Sequence, residues 1–462
     1  MKFKLQSLQK VFKTYDIRGI IGDVLDENFY YYLARALSTY LNAKTIVVGR
    51  DFRDSSVKFY EAFINGLIDS GTNAIELNEI PTEVLYFTVG ILQGKVDGGV
   101  TITASHNPSE YNGCKMVFGD VSPIFMEKGM SEIIEIMREA KYKKTNAKGK
   151  RIVQSIDPFI EFIQSNLKNI EIPRLKIAID AGNGLGGKFF DIVFGDLPFE
   201  VHRMYFEPDS SFPNHVPDPL KIENTLDLTN TIKNGEYDLG IALDGDSDRV
   251  FFFDKFGNAS SGLYTGSMIA EFLLKSYPGE IILHDARVNR AIRETVIKAG
   301  GKPMVSVSGH AYFKQSLKKY NAIFGAEQSS HFFYRDFFYA DSAFYTMSLF
   351  FKMYSFGFDF AEKLKFLIEN YPVSGEVNFK VQNIDETLQK IENSLDLKPE
   401  KVDGLSYHTD KWSANIRKSN TEPILRLNVE GNDINSIIEG FRLFENLIGG
   451  ERLNNSVIDE LN

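Results

Sequence analysis

The chain has 462 residues, 43% of them hydrophobic and 25% charged, with a formal net charge of −10 at pH 7. That length supports roughly three domains at about 150 residues each, and the acidic field repels a polyanion such as nucleic acid, so an anionic ligand needs a local basic pocket. No apolar run approaches the roughly 18 residues that span a membrane, "MKFKLQSLQKVFKTYDIRG" has no signal-peptide core, and a single cysteine, Cys114, gives no disulfide framework and suits a reducing cytoplasm.

Strand-like and helix-like segments alternate along the chain. "TIVVG" (45–49) is an early strand, and "DGGVTITASHNP" from Asp97 is a strand that opens on an acid and empties into a polar loop at Ser105. The lysine-rich "KYKKTNAKGKR" (141–151) reads as a linker. "KIAID" (176–180) follows, and then "DLGIALDGDSDR" from Asp238 repeats the first pattern, acid, strand and loop. "VFFFD" (250–254) runs into a "KFGN" turn that starts a hairpin, and "EIILH" (280–284) is the next strand. "NAIFGAEQSSHF" from Asn321 is a third copy, with Ser329 in the position of Ser105 and Asp246. Beyond "NYPVSGE" (370–376) the pattern turns strand-rich and ends in a helix over 434–448. The alternation predicts parallel α/β layers. Three loops at the carboxyl ends of strands could converge on one cleft, since open α/β sheets bind ligands there; a chance likeness among buried strands is the alternative.

In "IALDGDSDRVFFF" (241–253), Asp244, Asp246 and Asp248 alternate and would share one face of an extended segment. Unit charges about 4 Å apart repel by roughly 1 kcal/mol in water and about 4 kcal/mol at an effective dielectric of 20, and a divalent cation reverses that sign. Oxygen-only donors select a hard ion, Mg²⁺. A calcium EF-hand fails, because Arg249 and Lys255 stand where glycine and glutamate are required. A solvated acidic turn is the alternative, weakened by the apolar strands on both sides. For Ser105, acyl transfer fails because His106 would point to the opposite side of an extended segment, and the sequon Asn107-Pro108-Ser109 fails on its proline. A phosphoryl carrier remains: phosphate brings about −1.5 to −2 charges, which a cation held by three aspartates would complement.

"TASHNP", "DGDSDR" and "GAEQSSH" resemble the phosphoserine, metal and sugar loops of the α-D-phosphohexomutases, in the phosphomannomutase/phosphoglucomutase branch. The likeness continues through "YDIRG" (15–19), "VGRD" (48–51), "NGCK" (112–115), "DAGNGLGG" (180–187), "FPNHVPDP" (212–219), "SGHAYFK" (308–314) and "RKSNTEP" (417–423). The resemblance implies three similar α/β domains plus a C-terminal TATA-binding-protein-like α+β domain around a central active-site cleft. In that plan residues 1–145 bear the phosphoserine, 152–254 bind metal, 255–369 bind the sugar and 373–462 bind phosphate.

The same resemblance implies roles. Ser105 is the phosphoserine, with Asp244, Asp246 and Asp248 as Mg²⁺ ligands completed by a phosphoserine oxygen. Arg18, Lys115 and Arg249 meet the reacting phosphate, with Lys115 first and His331 second for proton handling. Glu327 and Ser329 hold sugar hydroxyls, Arg287 and His310 contact the ligand, and Arg417, Ser419, Asn420 and Thr421 take the other phosphate. The implied reaction interconverts hexose 1- and 6-phosphates, mannose or glucose, through a hexose 1,6-bisphosphate that also serves as activator. The partner is a small phosphosugar, not nucleic acid or membrane, and the protein is a cytoplasmic monomer or small homo-oligomer. Departures from the family pattern lie at Ala326, Gln328, Ser330 and "DAR" (285–287), the last expected to loosen its turn. Gln328 leans towards phosphoglucosamine mutase, and Ser330 stands where glycine would permit positive φ. A haloacid-dehalogenase-type phosphatase using Asp244 expects Thr or Val where this chain has Asp248, and a catalytically silent phosphosugar-binding protein is opposed by the intact Ser105, aspartate trio and phosphate loop.

Overall fold

The computed structural model describes residues 1–419, 423–456 and 459, and divides into two compact units: residues 1–259 with 331–358, and residues 260–330 with 359–462.

The first unit contains a six-stranded sheet in the order Ile17–Ile20, Tyr111–Phe118, Gly98–Ile102, Thr45–Arg50, Asn73–Glu79 and Arg151–Val153. The last four are parallel, and Tyr111–Phe118 and Ile17–Ile20 are added antiparallel. Every residue of Gly98–Ile102 is buried. That accounts for a continuous apolar run where a one-sided strand would alternate. Arg151–Val153, at the end of the stretch read as a linker, is an edge strand of this sheet. Helices Glu27–Tyr40 and Asp54–Asp69 pack Phe29, Leu33, Phe59, Phe63 and Ile64 into its core. They approach at Gly66, where a Cβ would lie 2.2 Å from the Tyr31 carbonyl oxygen. Asp26 starts the first helix by accepting from the Phe29 amide at 2.7 Å.

A four-stranded sheet in the same unit has the order Val250–Phe253, Leu239–Leu243, Leu175–Asp180 and Phe199–Met204. Leu239–Leu243 has a parallel neighbour on one side and an antiparallel one on the other, as Gly98–Ile102 does. The repeated opening acid has one purpose in both places. The Asp97 carboxylate accepts from the Lys44 and Thr45 amides at 2.6 and 2.9 Å, and the Asp238 carboxylate from the Lys176 amide at 2.8 Å. Each acid therefore satisfies the exposed start of the adjacent strand. After Val250–Phe253, Asp254 accepts from the Phe256 and Asn258 amides and Phe253 bridges Ala259, as the "KFGN" turn predicts. The hairpin of Phe332–Tyr334 and Ala340–Asp341 and the helix Ala343–Ser355 also belong to this unit.

In the second unit, parallel strands run in the order Lys302–Ser306, Ile281–Asp285 and Phe324–Ala326, with helices Gly262–Ser276, Arg290–Lys298 and His310–Tyr320. Here Asn321, the third copy's opening residue, works differently: it ends the helix His310–Tyr320 in a left-handed conformation with φ 50°. An antiparallel sheet follows in the order Leu405–His408, Trp412–Lys418, Leu425–Gly431, Val377–Lys380 and Glu451–Arg452. The helix Ile434–Ile448 lays Ile437, Phe441 and Phe444 on it, and the short Glu451–Arg452 strand comes after the helix expected to be last. Among the described residues no helix is long and apolar enough to cross a membrane.

Candidate active site

Just past Gly98–Ile102 the backbone turns sharply at Ser105, whose φ of 51° is left-handed. The Ser105 amide donates to Thr103 Oγ1 at 2.9 Å. Its buried Oγ lies 3.1 Å from Asp244 Oδ2 and 3.1 Å from His106 Nδ1. The extended-segment expectation for His106 is therefore wrong. Side chains alternate only where φ stays negative, and the left-handed residue swings His106 to the serine's own side. Burial, with Arg249 and Arg18 nearby, pushes the His106 imidazole well below its usual range and keeps it neutral.

The aspartate trio is gathered by a turn, not by strand alternation. The Ser247 amide donates to the Asp244 carbonyl at 3.1 Å and Ser247 has φ 57°. Carboxylate oxygens of Asp244, Asp246 and Asp248 lie within 4.8 Å of one another, each residue at most 2% exposed. Gly245 permits the approach of the two loops, since a Cβ there would lie 2.5 Å from the Ser105 carbonyl oxygen. Lys115 Nζ donates to Asp246 Oδ2 at 2.7 Å and also to Asp248 Oδ2. Arg249 Nε donates to Asp244 Oδ2 at 3.0 Å. Thr82 Oγ1 donates to Asp246 Oδ2 at 2.5 Å.

Burial pushes the Asp244 carboxyl up to about 7 against the pull of Arg249. At Asp248 burial is outweighed, chiefly by Lys115 and His331, and the carboxyl falls to about 2. Asp246 Oδ1 and Asp248 Oδ1 are buried with no hydrogen-bond partner among the described residues. Three acids, two bases and two carboxylate oxygens without hydrogen bonds suit a hard divalent cation. Arg18 Nη1 donates to the Ala104 carbonyl at 3.0 Å and its Nη2 to Asp16 Oδ2 at 2.5 Å. Arg18 Nε and Arg249 Nη2 are buried donors without hydrogen-bond partners among the described residues. His331 Nε2 stands 3.6 Å from Asp248 Oδ1.

The second unit carries the other predicted residues. Glu327, 2% exposed, accepts from the Gly309 amide at 2.6 Å through Oε1, next to His310 at the start of its helix. Ser329 is half-buried, and Ser330 takes φ 65° despite its side chain. Gly262 gives this loop room, because a Cβ there would meet the Glu327 carbonyl oxygen at 2.1 Å. "DAR" is not loosened: Asp285 accepts from the Arg287 amide at 2.9 Å and Nε at 3.0 Å, and from the Gln328 amide at 2.8 Å. Glu376 joins Arg417 Nη2 and Arg426 Nη1, each at 3.1 Å. Burial opposes its charge, but Arg417, Arg287 and Arg426 hold the carboxyl below its usual range. The Ser419 amide donates to the Ile424 carbonyl at 3.0 Å. Asn420 and Thr421 lie outside the described residues.

Sequence reading missed Thr82, Arg53 and Glu376, and it set His106 aside on the expectation of an extended segment. Only the pairing of Asp51 and Arg53 within "GRDFRD" carried a local signal; the Thr82–Asp246 contact spans 164 positions.

Comparison with known proteins matches the chain to phosphoglucomutase/phosphomannomutase: alpha/beta/alpha domain I over residues 9–144, domain II over 157–257, domain III over 261–371 and the C-terminal domain over 376–437. The phosphomannomutase of Vibrio cholerae is 37% identical over 440 residues, covering 91% of this chain and 94% of that protein. That of Escherichia coli K12 is 35% identical over 431 residues with the same coverage. A crystal structure of a phosphoglucomutase/phosphomannomutase family protein from Burkholderia thailandensis is similar with a TM-score of 0.88 at 27% identity, covering 96% of this chain and 99% of that one.

Proposed function

We infer the activity from one premise, that the chain belongs to the phosphoglucomutase/phosphomannomutase family: it is a phosphohexomutase that interconverts hexose 1-phosphate and hexose 6-phosphate, with mannose or glucose as the hexose. The observation that carries the mechanism is Ser105 Oγ, 3.1 Å from Asp244 Oδ2 beside two further buried carboxylates.

Ser105 carries the phosphoryl group. Mg²⁺ held by Asp244, Asp246 and Asp248 would supply the positive charge that phosphoryl transfer requires. The hexose hydroxyl oxygen attacks phosphorus, the bond from phosphorus to Ser105 Oγ breaks, and a hexose 1,6-bisphosphate results. After the sugar reverses end for end, its other phosphate returns to Ser105. Arg18 Nε and Arg249 Nη2, buried and unpartnered, are donors suited to the phosphate oxygens. Asp246 and Asp248 outweigh burial at Lys115 and hold its ammonium well above the usual range. Lys115, bonded to Asp246 and Asp248, is the first candidate for handling the hydroxyl proton, and His331, 3.6 Å from Asp248 Oδ1, is the second. Glu327, Ser329, Arg287 and His310 bind the sugar, and Arg417, Ser419, Asn420 and Thr421 bind the phosphate that is not reacting.

A cytoplasmic monomer or small homo-oligomer acting on a free phosphosugar completes the reading. With Mg²⁺ and catalytic hexose 1,6-bisphosphate, the protein interconverts mannose or glucose 1- and 6-phosphates and Ser105→Ala does not. Full activity in Ser105→Ala overturns the scheme. One observation favours glucosamine phosphate instead: Gln328 Oε1 is buried without a hydrogen-bond partner among the described residues, an acceptor for an amine. Rates on the three hexose 1-phosphates decide between them.

A further inference from the structure

Arg53 follows the strand Thr45–Arg50 and is 1% exposed. Its guanidinium spends its donors on the serine loop. Nη2 donates to the carbonyls of Ser105 and Asn107 at 3.0 and 2.5 Å, and Nη1 to those of Pro108 and Tyr111 at 2.8 and 3.2 Å. Asp51 aims the fork: its Oδ1 accepts from the Arg53 amide at 3.0 Å and its Oδ2 lies 3.3 Å from Nε. Phe212 covers the guanidinium, with its ring centroid 5.0 Å from Cζ. On the metal-loop side, Gly245 leaves no room for a Cβ beside the same Ser105 carbonyl. The left-handed backbone costs a serine about 1–2 kcal/mol, which these contacts offset.

We propose that Arg53 is a positioning residue for phosphoryl transfer: by gripping three carbonyls of the serine loop and the first carbonyl of the strand that follows it, Arg53 fixes Ser105 in its left-handed conformation, with Oγ against Asp244. The proposal rests on the mutase reading above. A lysine cannot replace it, because one compact ammonium does not span four acceptors as a planar fork does. The Asp246 and Asp248 contacts to Lys115 and Thr82 do not involve Arg53, so two of the three proposed cation ligands keep these supports without the clamp.

The test measures steady-state mutase kinetics, the rate of Ser105 phosphorylation by hexose 1,6-bisphosphate, and Mg²⁺ affinity. In Arg53→Lys, kcat and the phosphorylation rate fall about 100-fold, the penalty of a roughly 1 Å misplacement, while KM and Mg²⁺ affinity stay within about threefold. Added guanidinium ion restores part of kcat to Arg53→Gly, which a purely structural loss does not allow. An Arg53→Lys enzyme with wild-type kcat overturns the proposal, as does an Arg53→Gly enzyme that guanidinium leaves unrescued. Should the Arg53 variants not fold, Asp51→Asn decides: kcat falls about tenfold at unchanged KM, and wild-type kcat overturns the clamp. Failure of the mutase reading is distinguishable, because then the wild-type protein itself does not interconvert the sugars.

Discussion

Lys115 occupies the position of a counterion, bonded to Asp246 and Asp248 and 7% exposed. Removing one partner of a buried ion pair costs about 3–5 kcal/mol, because the charge left behind has no solvent. Lys115→Met should therefore unfold at a lower temperature than wild type without Mg²⁺, and the cation should restore more stability to the variant than to the wild type. Thermal melts across a Mg²⁺ titration measure this, and equal Mg²⁺ shifts in both proteins would refute it. Ser330 makes a second case for a single side chain. It has φ 65° and its buried Oγ has no hydrogen-bond partner among the described residues. Ser330→Gly removes a left-handed penalty of about 1–2 kcal/mol and an unsatisfied hydroxyl, against a backbone-entropy loss of about 0.5–1 kcal/mol. A gain of about 1 kcal/mol in denaturant unfolding is expected; a loss would show that the strain lies elsewhere.

Glu430 joins two elements of the second unit. From the strand Leu425–Gly431 its Oε1 accepts from the Asn289 amide at 2.9 Å and its Oε2 from the Arg290 amide at 2.9 Å, capping the helix Arg290–Lys298. Burial nevertheless raises the carboxyl from 4.5 to about 7. The folded state thus keeps the proton that the unfolded chain releases first, so this contribution is complete below pH 4.5 and is lost as pH rises towards 7. Wild type should lose stability relative to Glu430→Gln across that window and run parallel to it above. Urea unfolding followed by Trp412, the chain's single tryptophan, reads the correct sheet; parallel curves throughout would exclude the titration. Glu430 was not legible in the sequence, because its helix lies about 140 positions away. Gly98–Ile102, Leu239–Leu243 and the helix Ile434–Ile448 were legible, because their burial is written in local apolar runs and periodicity. The serine and aspartate loops stood out by composition, whereas the path through Ser105 did not: nothing in "TASHNP" announces a serine with positive φ.

The proposed phosphate carrier and all three proposed metal ligands lie in the first unit, residues 1–259 with 331–358. Each unit has its own core, one built around Phe29, Leu33 and Phe63 and another around Phe379, Trp412 and Phe444. A ligand that binds only the folded state stabilises what its contacts hold together, by about 2.7 kcal/mol at 100 times its dissociation constant. With a net charge of −10 the chain already attracts cations in general, so specific Mg²⁺ binding must be told from diffuse screening by where the protection falls. Hydrogen exchange makes that distinction, because local opening is reported amide by amide. Mg²⁺ should slow exchange in Leu239–Leu243 and Val250–Phe253, which border Asp244 and Arg249, and in Tyr111–Phe118, which contains Lys115, and leave His310–Tyr320 and Leu425–Gly431 unchanged. Asp246→Asn should abolish the effect. Protection spread evenly over both units, or surviving in Asp246→Asn, would mean that the ion acts through net charge and that the buried trio is not its site.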